Sequence, residues 1–114
     1  MRAAEGQAVV RALALESDIV VENFRPDTMR RLGLDYDSVL KINPQIVYCS
    51  LSAFGAAGPM HNKQGLDVVL QAMSGLMSIT GEPAGGPLPA GAPIADISSG
   101  VFGALGVVLA VLEQ

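Results

Sequence analysis

Sixteen consecutive residues, Ile97 to Leu112, carry no charge and would be apolar nearly all round if wound as a helix. A helix of that kind has no solvent face to offer, so the rest of the structure must cover it. The run is shorter than the roughly 20 residues a membrane span needs. It also holds two serines and three glycines and lacks basic flanks. A helix buried in protein is therefore expected, with no membrane partner. Just before it stands Asp96, the only charged residue between Glu82 and Glu113, reached through a Gly/Pro-rich approach from Pro83 to Ala95. A lone carboxylate in apolar surroundings is costly to keep ionised unless something stabilises it. From the residues alone two roles stay open for Asp96: a cap for the helix that follows, or a reactive carboxylate held at a helix start.

Composition narrows the fold. Half of the 114 residues are hydrophobic and 16% are charged, which excludes disorder; aromatics are scarce, and Gly and Pro together number 20. That mixture suits an α/β protein with tight turns. All seven Lys and Arg fall within residues 1–63, where seven acids balance them; residues 64–114 hold only Asp67, Glu82, Asp96 and Glu113, net −4. With no basic block, nucleic acid is a poor partner. Cys49 is the single cysteine and has no internal disulfide partner, so a reducing, cytoplasmic setting is expected. Its strand-like flanks, Ile46 to Leu51, favour a packing role over a reactive thiol. Arg2 is followed by Ala, Glu and Gly rather than by an apolar stretch, unlike a signal peptide.

Periodicity and punctuation place the elements. Residues 3–15 read as a helix, broken by Ser17-Asp18, and Ile19–Val21 as a β-branched strand. Pro26 suits a first helical turn and Asp27 its positive end, with the short helix through Leu32 stopping at Gly33. Asp35 can cap a helix from Tyr36 to Ile42, ended by Asn43-Pro44, and Gln45–Leu51 is a second strand. Strand, helices and strand at this spacing predict a parallel βαβ unit. Ala53–Gly65 is a loop. Asp67–Thr80 is a helix with Val69, Leu70, Met73, Leu76 and Met77 on one face, closed by Gly81. Residues 82–95 form a second loop, and the last helix starts near Asp96. Two strands make a marginal sheet, so the chain is expected to be part of a larger domain or to bury these faces in a partner.

Seven segments occur in a telling order: Val21-Glu-Asn-Phe-Arg-Pro26, Arg31-Leu-Gly-Leu34, Asn43-Pro-Gln-Ile-Val-Tyr-Cys-Ser50, Phe54-Gly-Ala-Ala-Gly-Pro59, Gln71-Ala-Met-Ser-Gly-Leu-Met-Ser78, Thr80-Gly-Glu-Pro83 and Pro93-Ile-Ala-Asp96. Together they resemble the class III CoA-transferase family, which includes formyl-CoA and carnitine CoA-transferases and the α-methylacyl-CoA racemases. The resemblance covers essentially the whole chain. It implies an internal part of a Rossmann-like N-terminal large domain (residues 1–114, with no complete second domain), in a family whose complete enzymes are interlocked homodimers.

The same resemblance implies the roles of individual residues. Asp96 matches the nucleophilic aspartate. Asn23 and Phe24 match a turn that contacts the CoA nucleotide, and Arg31 matches a basic position used for CoA phosphates. Gln64, with Lys63 beside it, stands where some transferases carry a lysine near CoA. Leu66 stands where racemases carry a histidine, and leucine cannot take up a proton, so transfer is expected over racemisation. The implied substrates are an acyl-CoA and a carboxylic acid, with no permanently bound cofactor and no metal. His61 reads as a surface histidine. Three rivals stand beside the transferase: an inactive or partner-dependent piece, a racemase, and an acyl-CoA-binding module without transfer.

Overall fold

A computed structural model describes residues 4–114. Helix α1 runs Ala4–Leu15, so Ala3, expected to open it, lies outside the described residues, as does Arg2. The chain then enters strand β1, Ile19–Glu22, and passes through two short helices, α2 (Thr28–Leu32) and α3 (Tyr36–Leu40), into strand β2, Val47–Ser50. The strands are parallel, with Ile19 opposite Val47 and Glu22 opposite Ser50, as the βαβ spacing requires. Backbone bonds from Val47 N to Asp18 O (2.9 Å) and from Leu51 N to Glu22 O (2.9 Å) extend the ladder at both ends.

The core gathers around this unit. Ala14 of α1, Val39 of α3 and Ile46 are buried together, with Val20, Leu40 and Tyr48 packed against them, and Leu34 is 1% exposed. Asn43 does more than break a helix. Its amide Nδ2 donates to the carbonyls of Ala14 (3.1 Å) and Ser17 (2.8 Å), satisfying the open end of α1 across 29 and 26 residues of sequence. Gly33 ends α2 in the left-handed region at φ 63, where a side chain would be strained and would collide with the Arg11 guanidinium.

Several local expectations change in detail. Pro26 lies in the turn before α2 rather than in its first helical turn, and Asp27 takes the N-terminal position at φ 61 with no side-chain cap bond. Asp35 stands at the start of α3 but accepts from the Ser38 hydroxyl (2.7 Å) in place of a backbone N–H.

The stretch Asp67–Thr80 is not one helix. Helix α4 covers Asp67–Met73, Gly75 at φ 83 breaks it, and a single 3₁₀ turn follows over Leu76–Ile79. The residue that α4 buries is Gln71, 2% exposed, while Val69 and Met73, assigned to the apolar face, are exposed.

The last helix, α5, runs Ile94–Glu113 and packs on β2 and α4. It starts two residues before Asp96, and at 20 residues it meets the length and hydropathy of a membrane span. The expected burial is not met within this chain: none of its residues is buried, and between Ile97 and Leu112 only Ser98, Gly103, Val107 and Ala110 are half-buried. Gly103 lets the helix approach β2, since a Cβ there would sit 3.0 Å from Leu51 Cδ2 and 3.5 Å from Cys49 Sγ. The open face shows in the dimensions: the Cα radius of gyration is 17.4 Å, against about 13 Å for a compact domain of this length.

Candidate active site

Asp96 is the third residue of α5. Pro93, which precedes the helix, has no side-chain acceptor to offer its first turn, and that role falls to Asp67 of α4. Asp67 Oδ1 accepts from the backbone N–H of Ala95 (2.8 Å) and of Asp96 (3.2 Å). Asp67 Oδ2 accepts from Gln71 Nε2 (2.5 Å), whose Oε1 in turn accepts from Ala90 N (2.8 Å). Gln71 Nε2 also reaches Ala92 O at 3.4 Å. The buried amide is thus satisfied on both sides, which a polar group in that position requires. The loop entering α5 is tied to α4 at Ala90 and Ala92, and the first turn of α5 at Ala95 and Asp96.

This arrangement leaves the Asp96 carboxylate exposed, with no hydrogen bond or ion pair of its own among the described residues. It also uses up the helix start. Ile94 N donates to Ala92 O (2.8 Å) and Ile97 N to Pro93 O (2.9 Å), so the first four N–H groups of α5 all have partners. None remains to hold an oxyanion beside Asp96.

The second feature is an open cleft of about 960 Å³ along β2 and the turn after β1, lined among others by Phe24, Arg25, Arg30, Tyr48 and His61. Glu22 shapes that turn. One carboxylate oxygen accepts from Phe24 N (2.8 Å) and the other from the Ser50 hydroxyl on β2. Phe24 is half-exposed at the cleft wall, as a ring offered for stacking would be. Tyr48 donates to Leu34 O (2.9 Å), and burial, reinforced by Glu22 and Asp35, pushes its phenol up to about 12.

The four residues implied by resemblance do not share one pocket. Phe24 lines the cleft, whereas Asn23, Arg31 and Asp96 lie outside its lining. Asn23 Nδ2 donates to Leu51 O (2.7 Å), tying the end of β1 to the end of β2, and Arg31 Nη2 rests 3.4 Å from Thr28 Oγ1. The cationic groups that do face the cleft are Arg25 and Arg30, with Asp27 3.5 Å from Arg30 in an exposed pair. His61 is exposed and holds Gly58 O through Nδ1 at 2.7 Å. Sequence reasoning missed Gln71 as a site residue. The signal that could have found it is its place four residues after Asp67, one helical turn away on the same face.

Comparison with known proteins completes the assignment. The family model described as CoA-transferase family III matches residues 1–114, and the chain belongs to that family. It is 46% identical over 102 residues to a succinate–glutarate CoA-transferase of Agrobacterium fabrum, covering 90% of this chain and 26% of that protein. To the succinyl-CoA:glutarate CoA-transferase of Mus musculus it is 41% identical over 109 residues, covering 96% of this chain and 25% of the mouse protein. Among solved structures, a CAIB/BAIF family protein from Brucella suis superposes with a TM-score of 0.95 at 40% identity, covering 98% of this chain and 30% of that one. The chain thus spans between a quarter and a third of the length of these relatives.

Proposed function

We propose that the chain carries the nucleophile and part of the CoA-contacting surface of a transferase that moves CoA from an acyl-CoA to a carboxylic acid. The observation that carries this reading is the Asp96 carboxylate itself. It is exposed, unpartnered among the described residues, and anchored through its backbone at the start of a long helix. In the first step one oxygen of the ionised carboxylate attacks the thioester carbonyl carbon, and the C–S bond breaks. This leaves an acyl-aspartyl anhydride and CoA thiolate. The thiolate then attacks the aspartyl carbonyl, the donor acid departs as its carboxylate, and an aspartyl-CoA thioester remains. An acceptor carboxylate attacks that thioester, forming a new aspartyl anhydride and expelling CoA thiolate. The thiolate then attacks the acceptor's acyl carbon, the anhydride C–O bond breaks, and the Asp96 carboxylate is released. Each exchange of partners is an easier step than direct transfer.

Phe24 supplies a flat apolar surface for a nucleobase, and Asn23 and Arg31 are proposed to contact the nucleotide and phosphates from the same end of the sheet. Oxyanion stabilisation, which contributes heavily to acyl transfer, must come from groups outside the first turn of α5. The names of the relatives above make succinyl-CoA and glutarate the first pair to try. For the whole protein we further propose a Rossmann-like large domain and a homodimer, in the cytoplasm.

Covalent trapping tests the reading. Incubating the whole protein with succinyl-CoA and then hydroxylamine should modify the peptide containing Asp96, and Asp96→Ala should abolish turnover while leaving CoA binding nearly intact. A label on another residue, or near-normal turnover in Asp96→Ala, returns Asp96 to a purely structural role. Leu66 offers no base, so deuterium should not wash into the α-carbon of a 2-methylacyl-CoA at a rate near turnover.

A further inference from the structure

The structure assigns Asp67 and Gln71 as positioning residues for Asp96. This inference rests on the reading of Asp96 as nucleophile. It goes beyond that reading by naming what aims the nucleophile. Three observations converge. Pro93 cannot cap α5, and Asp67 does so from a neighbouring helix, gripping the N–H of Asp96 itself (3.2 Å) and of the residue before it (2.8 Å). Gln71, 2% exposed, orients that carboxylate through its amide N–H (2.5 Å). Its carbonyl end fixes Ala90 (2.8 Å), six residues before Asp96. The entry loop is rich in glycine and proline, lies almost wholly exposed and has little apolar packing to hold it. The Asp67–Gln71 pair is therefore the anchor that fixes where α5 begins and where the Asp96 side chain departs.

The polarity of the pair makes it testable. Asp67 offers only acceptors and Gln71 turns its N–H₂ towards it. Asp67→Asn sets two N–H₂ groups face to face, and Gln71→Glu sets two carboxylates face to face. The double change Asp67→Asn with Gln71→Glu restores a donor against an acceptor. It also keeps an acceptor for Ala95, Asp96 and Ala90.

The experiment is performed on the whole protein with succinyl-CoA and glutarate, alongside backbone amide hydrogen exchange. In either single variant kcat should fall about ten- to a hundredfold through misorientation. KM for succinyl-CoA should stay within about twofold, since the nucleotide contacts lie elsewhere. Exchange at Ala95 and Asp96 should accelerate, and the double variant should recover both kcat and protection. Wild-type exchange at Ala95 and Asp96 in the single variants overturns the inference, as does a double variant no better than the worse single. If a single variant does not fold, the double variant decides alone: recovery supports the latch and its absence overturns it. Trapping on a residue other than Asp96, with the exchange pattern as expected, would sink the nucleophile reading and leave the anchoring intact, so the two failures are distinguishable.

Discussion

The two halves of this chain are held by different physics. From α1 to β2, apolar side chains close over one another, and Ala14, Leu34, Val39, Ile46 and Val47 are all buried. From α4 to α5, among the described residues, the one buried side chain is an amide. Burial of apolar area is non-directional and tolerant of small shifts. A hydrogen-bonded amide is directional and fixes distances to a few tenths of an ångström. The half that carries Asp96 is thus held by the more exacting of the two forces.

Substitutions on the two sides put that contrast to the test. The largest effect is expected at Leu34, where Leu34→Ala should cost about 2–5 kcal/mol through a cavity in the apolar half. Leu105→Ala, on the face of α5 that these 114 residues leave open, at 51% exposure, should stay within about 0.5 kcal/mol in this chain alone. Denaturant melts of both variants measure the difference, and equal losses would erase the contrast. Gln71→Ala should cost about 1–3 kcal/mol by leaving the partly buried Asp67 carboxylate and Ala90 N–H without their partner. Its loss should appear as faster amide exchange in residues 90–96, with the βαβ half unchanged.

Alkaline titration probes the junction between sheet and cleft. The Tyr48 phenol is raised from 10.0 to about 12 in the folded chain, so the stability it contributes is complete below pH 10 and is lost as pH rises towards 12. Tyr48→Phe should therefore flatten the stability profile over that window, with an amplitude reduced by the ring's partial exposure. A small effect of opposite sign compares two glycines of α5. At Gly106 nothing lies within 4 Å of an added Cβ, so Gly106→Ala should stabilise by about 0.5–1 kcal/mol through helix propensity. Gly103→Ala should gain less, because Leu51 must give way.

Much of the first half was legible from residue order. β-branched runs marked the strands, Gly33 marked the end of α2, and the spacing between strands implied their parallel pairing, each through local chemistry. The second half was less so. Gln71 sits among Val69, Leu70 and Met73, where a polar residue in a helical pattern reads as a solvent-facing position. Its burial depends on Ala90 and Ala92, about twenty residues onward in a loop whose path no periodicity encodes. The start of α5 was misplaced for the same reason, since its cap comes from α4 instead of from the residue before it. The family was legible because seven short segments kept their order. The geometry around Asp96 was not, because it is made by contacts between those segments.

Leu88 N bonds Met77 O at 3.2 Å and so closes a loop of chain between these two residues, and two residues further on Ala90 N is held by Gln71. Residues 82–87 lie exposed within that closed loop. Extra residues inserted at Gly85-Gly86 would lengthen a closed loop at only a logarithmic entropic cost. The displacement would end at Leu88 and never reach Asp96. The segment is therefore a natural port for a peptide tag or a fluorophore, a place where the chain can be lengthened or labelled without disturbing the carboxylate ten residues away.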